Sequence, residues 1–174
     1  HMGVLYGTVY YLQRLQAYKL RANPDSVPSR RERGTLHHEC IAGITACVEY
    51  LASLGRKLDG SASDRRKALE AAYAGIKLYE RSLAERLISG LLEIPGLTFY
   101  GIRDFARFDQ RCPTVAVRVK GHTPLELATK LGDLGIFAWD GNYYAINLSE
   151  YLDVEKDGGF LRIGLAHYNT AEEV

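Results

Sequence analysis

The chain reads as an α+β domain, with helices packed on a small mixed or antiparallel sheet. Three observations carry this reading. Two long stretches between Leu36 and Leu92 repeat their apolar residues with the helical period, whereas Thr114–Lys120 (TVAVRVK) alternates with the period of a strand. After Leu97 the chain breaks into short elements punctuated by glycine and proline, as helices and strands alternating in one domain would require.

Taken in order, Gly3–Gly7 (GVLYG) is short and apolar and predicts a buried strand. Val9–Leu15 is ambiguous. Arg21–Gly34 (RANPDSVPSRRERG) holds two prolines among many charges and reads as irregular exposed chain lying against something else. A helix is expected over Leu36–Gly55, with Thr35 as N-cap, Gly55 as stop and Ile41, Ile44, Val48 and Leu51 as its apolar stripe. Ser63 or Asp64 caps a longer helix reaching Leu92, with a stripe of Leu69, Tyr73, Ile76, Leu83, Leu87 and Leu91, and Pro95-Gly96 ends it.

Leu97–Tyr100 predicts a short strand, and Thr114–Lys120 a half-buried one with Val115, Val117 and Val119 on one face. Thr123–Leu134 has a complete helix start: Thr123 as N-cap, Pro124 in the first turn, Glu126 three residues after the cap, and Gly135 beyond the end. Ile136–Trp139 predicts a strand, Asp140-Gly141-Asn142 a turn, Tyr143–Leu152 a short helix and Lys156–Gly159 a second turn. The strand that follows carries Arg162. Thr170 and Glu173 form a capping box at the start of a further helix.

Composition narrows the function classes. At 174 residues the chain fits one domain, or one domain with an attached piece. Apolar residues make up 47% and charged residues 25%, and the 22 basic against 21 acidic residues leave a net charge of +1, which calls for neither nucleic acid nor an anionic membrane. No apolar run is long enough to span a bilayer, and no signal peptide is visible. The start, His1-Met2-Gly3, reads as a cloning scar or as a cut inside a longer protein. Cys40, Cys47 and Cys112 are odd in number and scattered, which argues against a disulfide framework or a zinc site and fits a cytoplasmic protein with structural thiols.

Four places invite a chemical reading. In Phe160–Gly164 (FLRIG) alternation puts Arg162 on the face opposite Leu161, Ile163 and Leu165; it is either half of a surface salt bridge or a guanidinium awaiting an anion. Gly34-Thr35 stands at the expected N-terminus of the first long helix, as an ordinary cap or as an anion-friendly site. His37, His38, Glu39 and Cys40 suggest metal ligands, but adjacent helix positions diverge too far for all four to share one ion, so no metal is expected. The aromatic cluster Trp139–Tyr144 (WDGNYY) either lines a substrate pocket or fills the core beneath a turn.

Taken together, these segments resemble a known family. FLRIGLAHYNTAEEV resembles the carboxylate-binding strand and following helix of the class V aminotransferase and cysteine desulfurase family, which are pyridoxal-phosphate (PLP) enzymes of fold type I. RERGTLHHECIAG resembles that family's E-x-GT-x-N-x-E-x-(I/L)-AG motif, departing at His37, and GVLYG resembles the strand after the family's cofactor lysine. The order is kept from Gly3 to Val174.

The resemblance implies that residues 1–35 are a remnant of the large cofactor-binding domain and residues 36–174 the C-terminal small domain. It implies that Arg162 binds the carboxylate of an amino acid substrate, with Trp139, Asn142 and Tyr143 as further substrate-binding candidates. Gly34 and Thr35 would bind the PLP phosphate of the neighbouring subunit in a homodimer. The Schiff-base lysine would fall before His1, so this chain alone holds no catalytic residue and is expected to be inactive. No cysteine lies between Pro113 and the C-terminus, where desulfurases carry their nucleophile, which brings the resemblance nearer to the cysteine desulfurase-like subgroup. The reaction type stays open among transamination, desulfuration, racemisation and elimination. The alternative is a non-enzymatic α+β binding or dimerisation module in which Arg162 and Thr35 are structural.

Overall fold

The computed structural model describes residues 3–32 and 34–174. His1 and Met2, read above as part of a scar or cut, and Arg33 of the irregular stretch lie outside the described residues. The chain forms two compact units, residues 1–72 and 73–174.

In the first unit, α1 spans Val9–Arg14, a 3-10 turn spans Ser29–Arg31, and α2 spans His38–Leu58. Gly3–Gly7 is neither a strand nor buried; Val4, Leu5 and Tyr6 are exposed. An apolar run becomes a strand only when a neighbour takes up its backbone hydrogen bonds, and among the described residues none does. The expected start of α2 is also displaced. The N-cap is His37, with no side-chain cap, so Thr35 does not cap the helix.

Gly55 does not stop α2, which runs one turn further. Its role is close approach instead. A Cβ at Gly55 would stand 1.7 Å from the Ala68 carbonyl oxygen, and Ala52, Ala68 and Ala72 around this crossing are fully buried. The small-residue contact fixes α2 against the start of α3 (Arg65–Leu92), whose first turn is capped by the Asp64 carboxylate accepting the Lys67 amide at 2.9 Å.

In the second unit the remainder of α3 packs with α4 (Pro124–Asp133) on a four-stranded, wholly antiparallel sheet. The strands are β1 (Leu97–Tyr100), β2 (Thr114–Val119), β3 (Trp139–Gly141) and β4 (Phe160–Gly164), in the order β1-β2-β4-β3. Register pairs Leu97 with Val119, Phe99 with Val117, and Val115 with Ile163, placing the apolar side chains on one face. Against that face lie Ala84, Ile88 and Leu91 of α3 and Leu127 and Leu131 of α4. Ala84 and Ile88 are core residues that the expected stripe omitted, while Tyr73, which it included, is exposed.

Turns close the unit as their residues dictate. At α4, Thr123 and Glu126 form a reciprocal capping box, the Glu126 amide donating to Thr123 Oγ1 at 3.2 Å and the Thr123 amide to Glu126 Oε2 at 2.8 Å. Gly135 (φ 79°) lets the Ile136 amide reach back to the Leu131 carbonyl, ending the helix. The next strand begins at Trp139, not Ile136, and Asp140 and Gly141 belong to it; the reversal comes afterwards, at Asn142–Ala145. A short helix α5 then covers Ile146–Tyr151. Thr170 and Glu173 pair as a capping box, but only a turn follows.

Candidate functional site

The sheet's second face lies opposite that core. Across it run Tyr100, Ala116, Arg162 and Trp139, one from each strand, aligned by the pairings Tyr100–Ala116, Ala116–Arg162 and Trp139–Arg162. Half of this face is closed by the segment between α5 and β4. There Arg118 donates to the carbonyls of Val154, Asp157 and Gly159, and Phe160 stacks edge-on to Tyr100 at 4.8 Å. Gly159 permits the closure, since a Cβ there would stand 2.4 Å from the Gly141 carbonyl oxygen.

Arg162 occupies the open half. It is exposed, and among the described residues no carboxylate pairs with it. Its neighbour Ala116 is small and leaves the guanidinium accessible, while Trp139, 72% exposed, stands beside it on β3. On a third side Tyr143 lies beneath the charge, with Arg162 Cζ 4.6 Å from the ring centroid.

The ring is held there by an unusual reversal. Tyr143 (φ 55°) and Tyr144 (φ 64°) are both left-handed, a conformation that glycine and asparagine adopt far more readily. Asn142 supplies the compensation. Its Oδ1 accepts the Tyr144 amide at 3.0 Å, and its Nδ2 donates to Glu155 Oε1 at 2.9 Å. Glu155 Oε2 accepts a bond from the Ser149 hydroxyl, which is fully buried. The Tyr143 hydroxyl is directed at the carbonyls of Phe160, at 2.9 Å, and Trp139.

Both titratable groups of this arrangement are displaced. Hydrogen bonds from Ser149, then from Asn142, hold the Glu155 carboxyl below the usual glutamate range. Burial pushes the Tyr143 phenol up to about 12, with the Arg162 amide and charge pulling it back only in part. Tyr143 is therefore a neutral donor at ordinary pH, unsuited to accept a proton from a substrate.

Of the residues singled out in the sequence, Arg162, Trp139, Asn142 and Tyr143 come together in the 73–174 unit. Glu155 and Ser149 were missed. Ser149 lies in α5 and Glu155 in the 3-10 turn beyond it, so no shared periodicity or motif marks the pair. Gly34 (φ 69°) and Thr35 lie in the other unit, both exposed and three residues or more before the first residue of α2. They form no helix N-terminus, and a Cβ at Gly34 would meet nothing within 4 Å. His37, Glu39 and Cys40 do bring ligand atoms within 4.8 Å of one another, because His37 stands outside the helix and can turn back over Glu39. The positive end of α2 disfavours a cation there. No helix among the described residues is long and apolar enough to cross a membrane.

Comparison with known proteins agrees with this architecture. Residues 3–174 match the aminotransferase class-V family. A cysteine desulfurase of Escherichia coli O8 (strain IAI1) is 30% identical over 147 residues, covering 84% of this chain and 30% of that protein. Among solved structures, the cysteine desulfurase CsdA of Escherichia coli aligns with a TM-score of 0.62 at 26% identity, covering 85% of this chain and 30% of the other. The apo cysteine desulfurase of Thermococcus onnurineus NA1 aligns with a TM-score of 0.63 at 24% identity, covering 84% of this chain and 30% of that one, and shares the fold. The chain thus spans about a third of the length of the curated relatives it matches.

The chain belongs to the class-V aminotransferase family.

Proposed function

We propose that this member of the class-V family is the small-domain portion of a PLP-dependent enzyme acting on an amino acid, with Arg162 as the ligand of the substrate carboxylate. The observation that carries the reading is Arg162 itself: an exposed guanidinium, unpaired with any acid among the described residues, placed on a strand whose other face is core. A carboxylate matches its planar pair of N–H donors. Trp139 pairs beside it on β3, and Tyr143 lies beneath the guanidinium in a turn that Asn142 braces.

When bound, PLP supplies an electron sink for cleavage at the amino acid's α-carbon. In this reading most of the residues that would hold that group lie outside this chain. In this reading residues 1–35 belong to the large cofactor domain and residues 36–174 to the small domain. The imine-forming lysine is contributed from outside the chain, and Gly34 and Thr35 meet the cofactor phosphate of the second subunit of a homodimer. The chain alone is then inactive. Reaction type is not fixed by these residues, although no thiol lies in the Trp139–Tyr144 segment to attack sulfur.

The test is the product of the gene in which this sequence occurs, prepared with added PLP. The expected result is an imine absorbance, and a loss of amino acid affinity on Arg162→Ala of about 1.5–3 kcal/mol, as for a hydrogen bond to a charged group. A colourless protein, or an unchanged affinity in the variant, sinks the proposal.

A further inference from the structure

We propose that Tyr143 is a positioning residue for Arg162: its ring covers one face of the guanidinium, leaving the edge N–H groups to meet a carboxylate, and the Glu155–Ser149–Asn142 bonds fix the ring in that place. The inference rests on the carboxylate role of Arg162 proposed above.

The geometry is specific. An exposed arginine side chain with several rotatable bonds samples many orientations, and holding one of them costs entropy at the moment of binding. Here the guanidinium carbon lies 4.6 Å from the Tyr143 centroid. The ring cannot easily leave. Its hydroxyl is anchored on the carbonyls of Trp139 in β3 and Phe160 in β4, two strands paired with each other. Its backbone is left-handed, as is that of Tyr144, and both depart from what tyrosine adopts freely.

Such a reversal persists only if the surroundings over-determine it, and the surroundings are a short polar relay. Asn142 uses its oxygen on the Tyr144 amide and its nitrogen on Glu155, and Glu155 in turn takes the buried Ser149 hydroxyl. Because the Asn142 amide and the Tyr143 hydroxyl are committed to these partners, their part in recognition is to hold Arg162. Ordinary turn chemistry would put asparagine and glycine where the two tyrosines stand. Glycine would supply the turn without the platform.

The experiment uses the 174-residue chain with its arginine Nε atoms labelled with nitrogen-15. The Arg162 Nε–H signal is identified by its disappearance in Arg162→Lys. In the wild type a ring beneath the guanidinium displaces this signal upfield. The displacement is expected to shrink in Tyr143→Phe, which keeps the ring but loses its anchor, to vanish in Tyr143→Leu, and to shrink in Glu155→Gln. Sodium acetate, balanced with sodium chloride at constant ionic strength, is the carboxylate probe. Its affinity should fall roughly threefold in Tyr143→Leu, the scale of an exposed cation–π contact, and recover in part in Tyr143→Phe.

An Arg162 signal without upfield displacement in the wild type overturns the proposal. So does a Tyr143→Leu variant with unchanged displacement and unchanged acetate response. If acetate leaves the wild-type signal unmoved while the displacement is present, it is the carboxylate role that falls, and the positioning role with it. If acetate moves the signal equally in wild type and Tyr143→Leu, the carboxylate role stands and positioning alone is overturned.

Discussion

Arg162 and Thr35 were read from the same kind of sequence signal, and the structure surrounds them very differently. Arg162 stands on a strand paired on both sides, over a buried core and above a ring fixed by a polar relay. Thr35 stands exposed in the chain before α2 and does not cap it. A side chain acquires a defined direction from the element that carries it. The first residue has that element within the chain, and for the second the described residues supply none.

The largest effect should come from removing the scaffold under Arg162. Ile88 is fully buried between α3 and the sheet, so Ile88→Ala should cost about 2–5 kcal/mol in urea unfolding, by lost burial and the cavity left behind. Amide exchange in β2 and β4 should accelerate while that in the middle of α2 does not. A cost under 1 kcal/mol would mean that the sheet's support lies elsewhere.

A smaller, local effect should follow pH at the Asn142–Ala145 reversal. The Glu155 carboxyl is depressed, so its contribution is full above the ordinary value of 4.5 and is lost as pH falls through its lower folded value. The Tyr143 phenol is raised, so its contribution is full below the ordinary value of 10.0 and is lost as pH climbs toward about 12. The upfield displacement of Arg162 should therefore be constant between these limits and decline outside them. In an ultraviolet titration at least one of the 12 tyrosines should ionise well after the exposed ones. Loss of the displacement near neutrality would break the relay.

The smallest effect sharpens the other side of the comparison. Thr35→Ala should change the stability of the chain by less than about 0.5 kcal/mol, as expected of an exposed residue that caps nothing. A loss near 1 kcal/mol in thermal unfolding would restore it as a helix cap.

By itself the sequence determined the elements whose signals are local. The strand at Thr114–Val119 alternates, and the start of α4 carries its own donors and acceptors in Thr123, Pro124 and Glu126. Arg162 on the face opposite the aliphatics follows from the same alternation. Elements whose identity depends on distant partners are not legible in the sequence. Gly3–Gly7 has a strand's composition without a strand's neighbour, and Gly55 looks like a stop until the Ala68 backbone is seen against it. Only the tertiary structure decided that Trp139 through Gly141 pair with β4, which pushes the reversal onto two tyrosines and brings Tyr143 under Arg162. It alone joined Ser149 and Glu155 to Asn142. The physical reason is one of range: periodicity and caps are written within a few residues, whereas close backbone approach and polar relays exist only once the chain has folded back on itself.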